Sequence, residues 1–346
     1  MNILSTFKRG FEPRSAVIGS AVYCEGDAFL DHSTTEEPGK RLKAVGVELR
    51  GPEGESWLVH SSRDTVLSAG AVNTPQILML SGVGPAAHLR RLGIPVVVDL
   101  PVGENLHDHL NMPLYVTLEL PVSVTTDKVL TFRQLRKFFL SGEGLLASSA
   151  VMGVGSAHRN ISLVLFGMGS PDEKVMRDIA NMKPQTFSGL FHFNGSNETS
   201  KEGFVMLASC LQPLSRGTVS LASRHPFTPP MIDPRYLQQP QDVACLVEAA
   251  QVAARVVSSP PFQRLGARLR LPRLEECEDL IPDPHDSGFL ECVVRTVAIT
   301  GYHPGGTCRM GRPRDATTVL DPQLRLGHPR DATTVLDPQL RSVDKV

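Results

Sequence analysis

The sequence predicts a mixed chain, with an α/β layer followed by a sheet of antiparallel strands covered by helices. Three observations carry this reading. Between residues 64 and 99, short apolar runs alternate with helical segments, the mark of an α/β layer. From Met112 onward, apolar and polar residues alternate at period two, as in half-buried antiparallel strands. Near Asp242 a stripe at helical spacing, Val243, Leu246, Val247, Ala250, Ala254 and Val257, predicts an amphipathic helix that Pro260-Pro261 ends.

Residues 1–43 hold no periodic run; Pro13, Gly19, Gly26 and the polar stretch 31–39 read as loop and turn. Ala44–Leu49 predicts a strand, and Ser56–His60 its hairpin partner across Gly51-Pro52-Glu53-Gly54. Asp64–Gly70 reads as a short buried strand ending in small residues. Thr74 is then expected to cap a helix with Pro75 at its first position, running through Ile77, Leu78 and Leu80 to a stop at Gly82 and Gly84-Pro85. A short helix from Ala86 to Leu92 leads into a strand at Ile94–Asp99. Leu114–Leu120 is the first antiparallel strand, and Phe204–Cys210 is expected to pair with Thr218–Leu221 across Pro213–Gly217.

Composition narrows the function. The chain has 346 residues, enough for about two domains of roughly 150 residues each. Its 35 basic and 36 acidic residues leave a net charge of −1, which argues against nucleic acid as a partner. No run approaches about 18 apolar residues, so a membrane-spanning helix is not expected. The N-terminal residues lack the charged lead and long apolar run of a signal peptide. Three sequons, at Asn160, Asn194 and Asn197, leave secretion open. Cysteines at 24, 210, 245, 277, 292 and 308 are too sparse for a disulfide scaffold and wrongly spaced for a zinc ribbon or finger. In the tail, Pro313–Arg325 recurs letter for letter as Pro329–Arg341. Two copies cannot form a solenoid, and the identity reads as a recent duplication or an assembly error in the sequence, so the second copy is given no function.

Four places could carry chemistry. Ser68-Ala69-Gly70-Ala71 places small residues at a strand end, where a flat or charged ligand can reach the backbone; alone, they read first as a tight turn. His107-Asp108-His109 offers two imidazoles and a carboxylate, either as a metal-binding loop or as a structural turn. His303, between Tyr302 and Pro304 and ahead of Gly305-Gly306, is an imidazole that can accept a proton at neutral pH; alone, it reads as an ordinary core or surface histidine. Cys308 reads as packing rather than as a nucleophile. Gly82-Val83-Gly84-Pro85-Ala86-Ala87 fits G-x-G-x-x-A, but no predicted strand leads into it, so it reads as a helix stop. The sequence has no G-x-S-x-G and no H-E-x-x-H.

Four blocks, taken together, are more specific than their parts. They are Ser68 to Pro85, Leu89 to His109, Leu211-Gln212-Pro213-Leu214-Ser215-Arg216-Gly217-Thr218-Val219, and Tyr302-His303-Pro304-Gly305-Gly306-Thr307-Cys308-Arg309-Met310-Gly311. In this order, over roughly residues 44 to 325, the chain resembles the glucose–methanol–choline (GMC) family of flavin oxidoreductases. Phe289-Leu290-Glu291-Cys292 is similar to the animal branch of glucose and choline dehydrogenase-like members.

The resemblance implies a partial, Rossmann-like FAD-binding α/β domain with an antiparallel-sheet substrate domain. The expected division is an unclear segment at 1–43, an FAD-binding remnant at 44–110, a substrate domain at 111–298, and a return to the FAD-binding domain at 299–346 that contains the duplicated 313–341. By the same resemblance FAD is the cofactor, held by Ser68, Ala69, Gly70, Thr74, Asn105 and Pro304. His303 takes the hydroxyl proton of an alcohol, polyol or sugar while hydride passes to the flavin, and oxygen or a quinone accepts the electrons. The family's G-x-G-x-x-G loop does not precede Ser68, and the repeat occupies the place of the family's second active-site His or Asn. The chain as written is therefore expected to bind FAD weakly or not at all, and to be weakly active or inactive. The alternative is a catalytically inactive truncated isoform or gene-model fragment.

Overall fold

A computed structural model describes residues 22–25, 43–50, 55–63, 65–158, 160–191, 202–312 and 315–326. In its first third the strands are β1 (Val22–Glu25), β2 (Lys43–Arg50), β3 (Ser56–His60), β4 (Val83–Gly84) and β5 (Val98–Asp99). The middle adds β6 (Leu110–Thr117), β7 (Val151–Ala157), β8 (Ile161–Phe166) and β9 (Gly203–Cys210). The last strands are β10 (Thr218–Ser220), β11 (Met231–Asp233), β12 (Arg268–Arg270) and β13 (Ile299–Thr300). Helices are α1 (Gly70–Leu80), α2 (Ala86–Arg91), α3 (Thr126–Val129), α4 (Phe132–Ser141), α5 (Glu173–Ala180), α6 (Pro184–Phe191), α7 (Pro240–Val257), α8 (Pro260–Gln263) and α9 (Ser287–Val297). The architecture is mixed α/β with antiparallel sheets, and it divides into two compact units. Unit 1 is Met1–His107, Arg216–Pro234 and Pro304–Val346; unit 2 is Asp108–Ser215 and Arg235–His303.

In unit 1, β2 and β3 form the expected hairpin, with Gly46 opposite His60 and Arg50 opposite Ser56. β1 adds to it antiparallel, so the segment at 1–43 that the sequence left unclear contains a strand at Val22–Glu25. β4, α2 and β5 make a small parallel unit, in which Asp99 Oδ1 accepts the Ala86 N–H at 2.9 Å and satisfies an orphan donor at the start of α2. Only Val98–Asp99 of the expected strand at 94–99 pairs, because β4 offers two residues to pair with. The expected strand at 64–70 is not formed. None of the described sheets includes it, Ser68–Gly70 is exposed, and a strand exists only through a ladder.

α1 begins at Gly70, four residues before the expected cap at Thr74, which places Pro75 inside the helix. A proline there removes the N–H that would bond to the Ala71 carbonyl. Thr307 makes good the loss: its hydroxyl donates to Ala71 O at 2.7 Å. Leu78, Met79, Val83, Leu89, Ile94, Leu100, Val102, Leu221, Val319 and Leu326 form the core of this unit. Val319 belongs to the first repeat copy, whose described part, Asp315–Arg325, is folded; Pro329–Arg341 lies outside the described residues.

Unit 2 is built on a sheet of order β12-β6-β9-β8-β7, with β13 also on β6. β6 is buried along nearly its whole length. Pro113 falls between the segments that pair with β13 and β12, where β6 has a partner on one side only, and a proline is tolerated there. α7 buries the whole predicted stripe, Val243, Leu246, Val247, Ala250, Ala254 and Val257. α9 contributes Phe289, Leu290, Val293, Val294 and Val297 to the same core.

The expected pairing of Phe204–Cys210 with Thr218–Leu221 does not occur. β9 has both edges occupied by β6 and β8, and β10 pairs with β11 in unit 1. The chain between them is held by Asp242, whose two carboxylate oxygens accept the N–H groups of Leu214 and Ser215 at 2.7 and 2.8 Å. The structure also pairs cysteines, on which the sequence made no prediction. Although too few for a scaffold, four cysteines form disulfides: Cys210–Cys245 ties β9 to α7, and Cys277–Cys292 ties a 3-10 turn to α9.

Candidate active site

β6 has a neighbour on each side at its N-terminal end, and the two registers bring distant residues together. Asn111 faces Ser209 of β9 and Ile299 of β13, while Leu110 faces Thr300. Carried two residues outward, the same registers set His109 beside Leu211 on one side and Gly301 on the other. Gly301 N–H donates to His109 O at 2.7 Å, and His109 Nε2 lies 3.0 Å from Leu211 O. His303 therefore arrives at His109, their Nδ1 atoms 3.1 Å apart and their rings nearly perpendicular, at 85°.

Asp108 fixes the backbone beneath this pair. It is 6% exposed and accepts three hydrogen bonds: Oδ1 from the His303 N–H at 2.8 Å, and Oδ2 from the Tyr236 and Thr300 hydroxyls at 2.6 and 2.5 Å. Burial, and then the bond to Asp108, push the Tyr236 phenol up to about 12, so it stays a neutral donor. Tyr302, just before His303, is 58% exposed and sits at φ 56°, in the left-handed region where a bulky residue is strained. Its N–H donates to Thr300 Oγ1 at 2.9 Å, which holds the turn. Gly301 leaves room for the arrangement: a Cβ there would stand 3.0 Å from His109 O and 3.3 Å from His303 Nδ1.

The residues expected to hold a cofactor belong to unit 1, whereas His303 belongs to unit 2. Within unit 1 three sequence blocks converge. Gly103 N–H donates to Thr307 O at 2.8 Å, His107 and Gly305 exchange a pair of backbone hydrogen bonds, and Thr307 reaches Ala71. Ser68, Ala69, Gly70 and Pro304 are exposed. Gly70 adopts φ 85° with nothing within 4 Å of where a Cβ would stand, and the first N–H groups of α1 have no helical partner. This open, small-residue rim with orphan donors fits a flat, acceptor-rich group. Thr74 turns inward, accepting the Ala69 N–H at 2.9 Å. Asn105, at φ 62°, donates to Gly306 O and accepts from Arg216 Nε, so its amide braces the Gly305-Gly306 turn.

His107 stays with unit 1 and Asp108 and His109 with unit 2. Among the described residues no three His, Cys, Asp or Glu side chains are grouped to hold a metal ion. Cys308 packs against the unit 1 core, and burial pushes its thiol up to about 12. Sequence reasoning singled out Asp108 and His109 only as a metal-binding loop or structural turn, and it missed Tyr236 and the Leu211 carbonyl, which the structure brings to the same place. The available signal was a His-Asp-His run immediately ahead of a strand.

Two family models, both described as GMC oxidoreductase, match residues 15–111 and 213–329. The chain belongs to the GMC oxidoreductase family. FAD is the cofactor of this family. One relative is the Drosophila melanogaster protein named neither inactivation nor afterpotential protein G, 38% identical over 266 residues, which are 72% of this chain and 44% of that protein. Another is an alcohol dehydrogenase [acceptor] of Pseudomonas putida, 32% identical over 290 residues, 82% of this chain and 48% of that protein. Among solved structures, a formate oxidase of Aspergillus oryzae shares the fold with a TM-score of 0.65 at 21% identity, over 83% of this chain and 51% of that one. The chain thus spans about half the length of the curated relatives it matches. Among its described residues no helix is long and apolar enough to cross a membrane.

Proposed function

We propose that this chain carries the alcohol-oxidising site of a GMC enzyme, converting a CH–OH group of an alcohol, polyol or sugar to a carbonyl. The observation that carries the reading is His303. It is an exposed imidazole whose backbone is anchored by a buried carboxylate, within the stretch that the GMC oxidoreductase model matches. Of the two hydrogens lost by the alcohol, the hydroxyl proton goes to His303 and the carbinol hydrogen leaves with its electron pair. FAD, when bound, supplies the two-electron acceptor for that pair. The small-residue rim at Ser68, Ala69 and Gly70 is suited to hold the cofactor, with Asn105, Thr74 and Pro304 shaping the surrounding backbone. The name of the Pseudomonas putida relative supports an alcohol as substrate and an acceptor to take the electrons onward. The two disulfides support an oxidising compartment, although Asn160, one of the three sequons, has its amide engaged with Gln212 and Cys245; Asn194 and Asn197 lie outside the described residues.

The test is to load the purified chain with excess FAD, remove free flavin, record the visible spectrum and add alcohols without oxygen. Against the weak flavin binding and absent turnover that the sequence alone predicts, a retained yellow chromophore that bleaches with an alcohol and persists unbleached in His303→Ala is the expected result. A colourless protein, or a His303→Ala variant that bleaches as fast as the parent, would overturn the reading; the first outcome is the one a catalytically silent chain would give.

A further inference from the structure

We infer that His109 is a positioning residue that sets the tautomer of His303. This rests on the base reading above and identifies what prepares the base. A carbonyl oxygen only accepts, so the 3.0 Å contact of His109 Nε2 with Leu211 O requires the hydrogen of His109 to be on Nε2. A neutral imidazole has a single ring hydrogen, so His109 Nδ1 presents a lone pair. The 3.1 Å approach of the two Nδ1 atoms is then a hydrogen bond only if His303 Nδ1 donates. His303 Nε2 is left bare, and it is the nitrogen able to take a proton.

The sequence reaches this state through the sheet. A fixed carbonyl at the end of β9 orients His109 at the end of β6, and His109 orients His303 just beyond β13. Proton uptake on Nε2 leaves the Nδ1–H bond to His109 in place, so the base need not turn between its two states. Of the two tautomers open to a free imidazole, the pair favours the one with the lone pair away from His109.

The test is ring-nitrogen NMR on the full 346-residue chain at about pH 8, where an ordinary imidazole is neutral, with His303 signals assigned by their loss in His303→Ala. In the parent, His303 is expected to carry hydrogen on Nδ1, His109 on Nε2, with a through-hydrogen-bond coupling between the two Nδ1 atoms. His109→Phe removes the acceptor and should lower the ratio of Nδ1–H to Nε2–H in His303 by roughly 5-fold, the factor one ordinary net hydrogen bond supplies. His109→Gln, which can donate to the carbonyl and accept from His303, should restore the parent ratio. Hydrogen on His303 Nε2 in the parent, no coupling between the two Nδ1 atoms, or an unchanged ratio in His109→Phe would each overturn the inference. The parent measurements need no variant to fold. Failure of the base reading is seen separately, as undiminished bleaching by His303→Ala.

Discussion

Asp108 Oδ1 accepts the backbone N–H of His303 at 2.8 Å, across 195 residues of sequence. The carboxylate binds the main chain of the candidate base and leaves its ring free to work. Asp108→Ala strands this N–H and two hydroxyls, and is expected to lower unfolding free energy by about 2–4 kcal/mol. Asp108→Asn keeps the shape but turns one acceptor into a donor, and should cost less, about 1–3 kcal/mol. Urea unfolding of the two variants checks the order, and an Asp108→Ala chain as stable as the parent would remove the anchor from the account.

Gly301 is the residue that lets the two histidines meet. Gly301→Ala places a methyl 3.0 Å from His109 O and 3.3 Å from His303 Nδ1, so the ring must give way by a few tenths of an ångström. A stability loss of about 1–2 kcal/mol is expected, with a weakened coupling between the two rings. Wild-type stability and coupling in this variant would show that the space is not needed.

His88 gives the chain a dependence on acid. Its Nε2 accepts the Leu221 N–H at 3.1 Å, so its hydrogen is on Nδ1, which faces Arg91 Nη2 at 3.5 Å, donor to donor. Burial first, and then the Arg91 charge, lower its pKa from the ordinary value. A group depressed in this way contributes its stability in full above the unfolded value, about 6.5, and loses it as the pH falls further toward and through the folded value, with a slope of at most about 1.4 kcal/mol per pH unit. His88→Gln keeps an acceptor for Leu221 without titrating. Its stability should therefore fall less steeply than the parent's below about pH 6.5 in thermal melts across pH.

Cys308 should be chemically silent in the fold. Burial pushes its thiol up to about 12, and only the thiolate alkylates rapidly. Iodoacetamide at about pH 8, read by peptide mass, should leave Cys308 unlabelled in the folded chain and label it in urea. Because the fold favours the protonated thiol, the stability it contributes is complete below the unfolded pKa of about 9 and declines as the pH rises from there toward about 12. Fast labelling of the folded protein would contradict the packed environment.

What the sequence disclosed follows from the range of each signal. The stripe from Val243 to Val257 and the Gly-Pro-Glu-Gly turn after Arg50 are local patterns, and α7 and the β2–β3 hairpin formed as they predicted. His303 stood out as a candidate because its neighbours form a motif. That Asp108 and His109 meet it was not legible, because the meeting is set by the registers of β6 with β9 and β13. The two disulfides were hidden for the same reason: only the packing of α7 on β9, and of α9 on the turn before it, brings those sulfurs together. The start of α1 was misplaced because Pro75 looked like a first-turn residue, and nothing local revealed that Thr307 would supply its missing bond.

That bond has a consequence for the order of assembly. The hydroxyl that completes α1 is synthesised 236 residues after the carbonyl it serves. During synthesis the N-terminal part of a chain emerges first, and a contact so remote pays its loop-closure entropy late. Until Thr307 has arrived, α1 is a helix with an open seam beside the Ser68–Gly70 rim, and a chain stopped short of Thr307 would retain every residue of that rim while lacking the side chain that seals it.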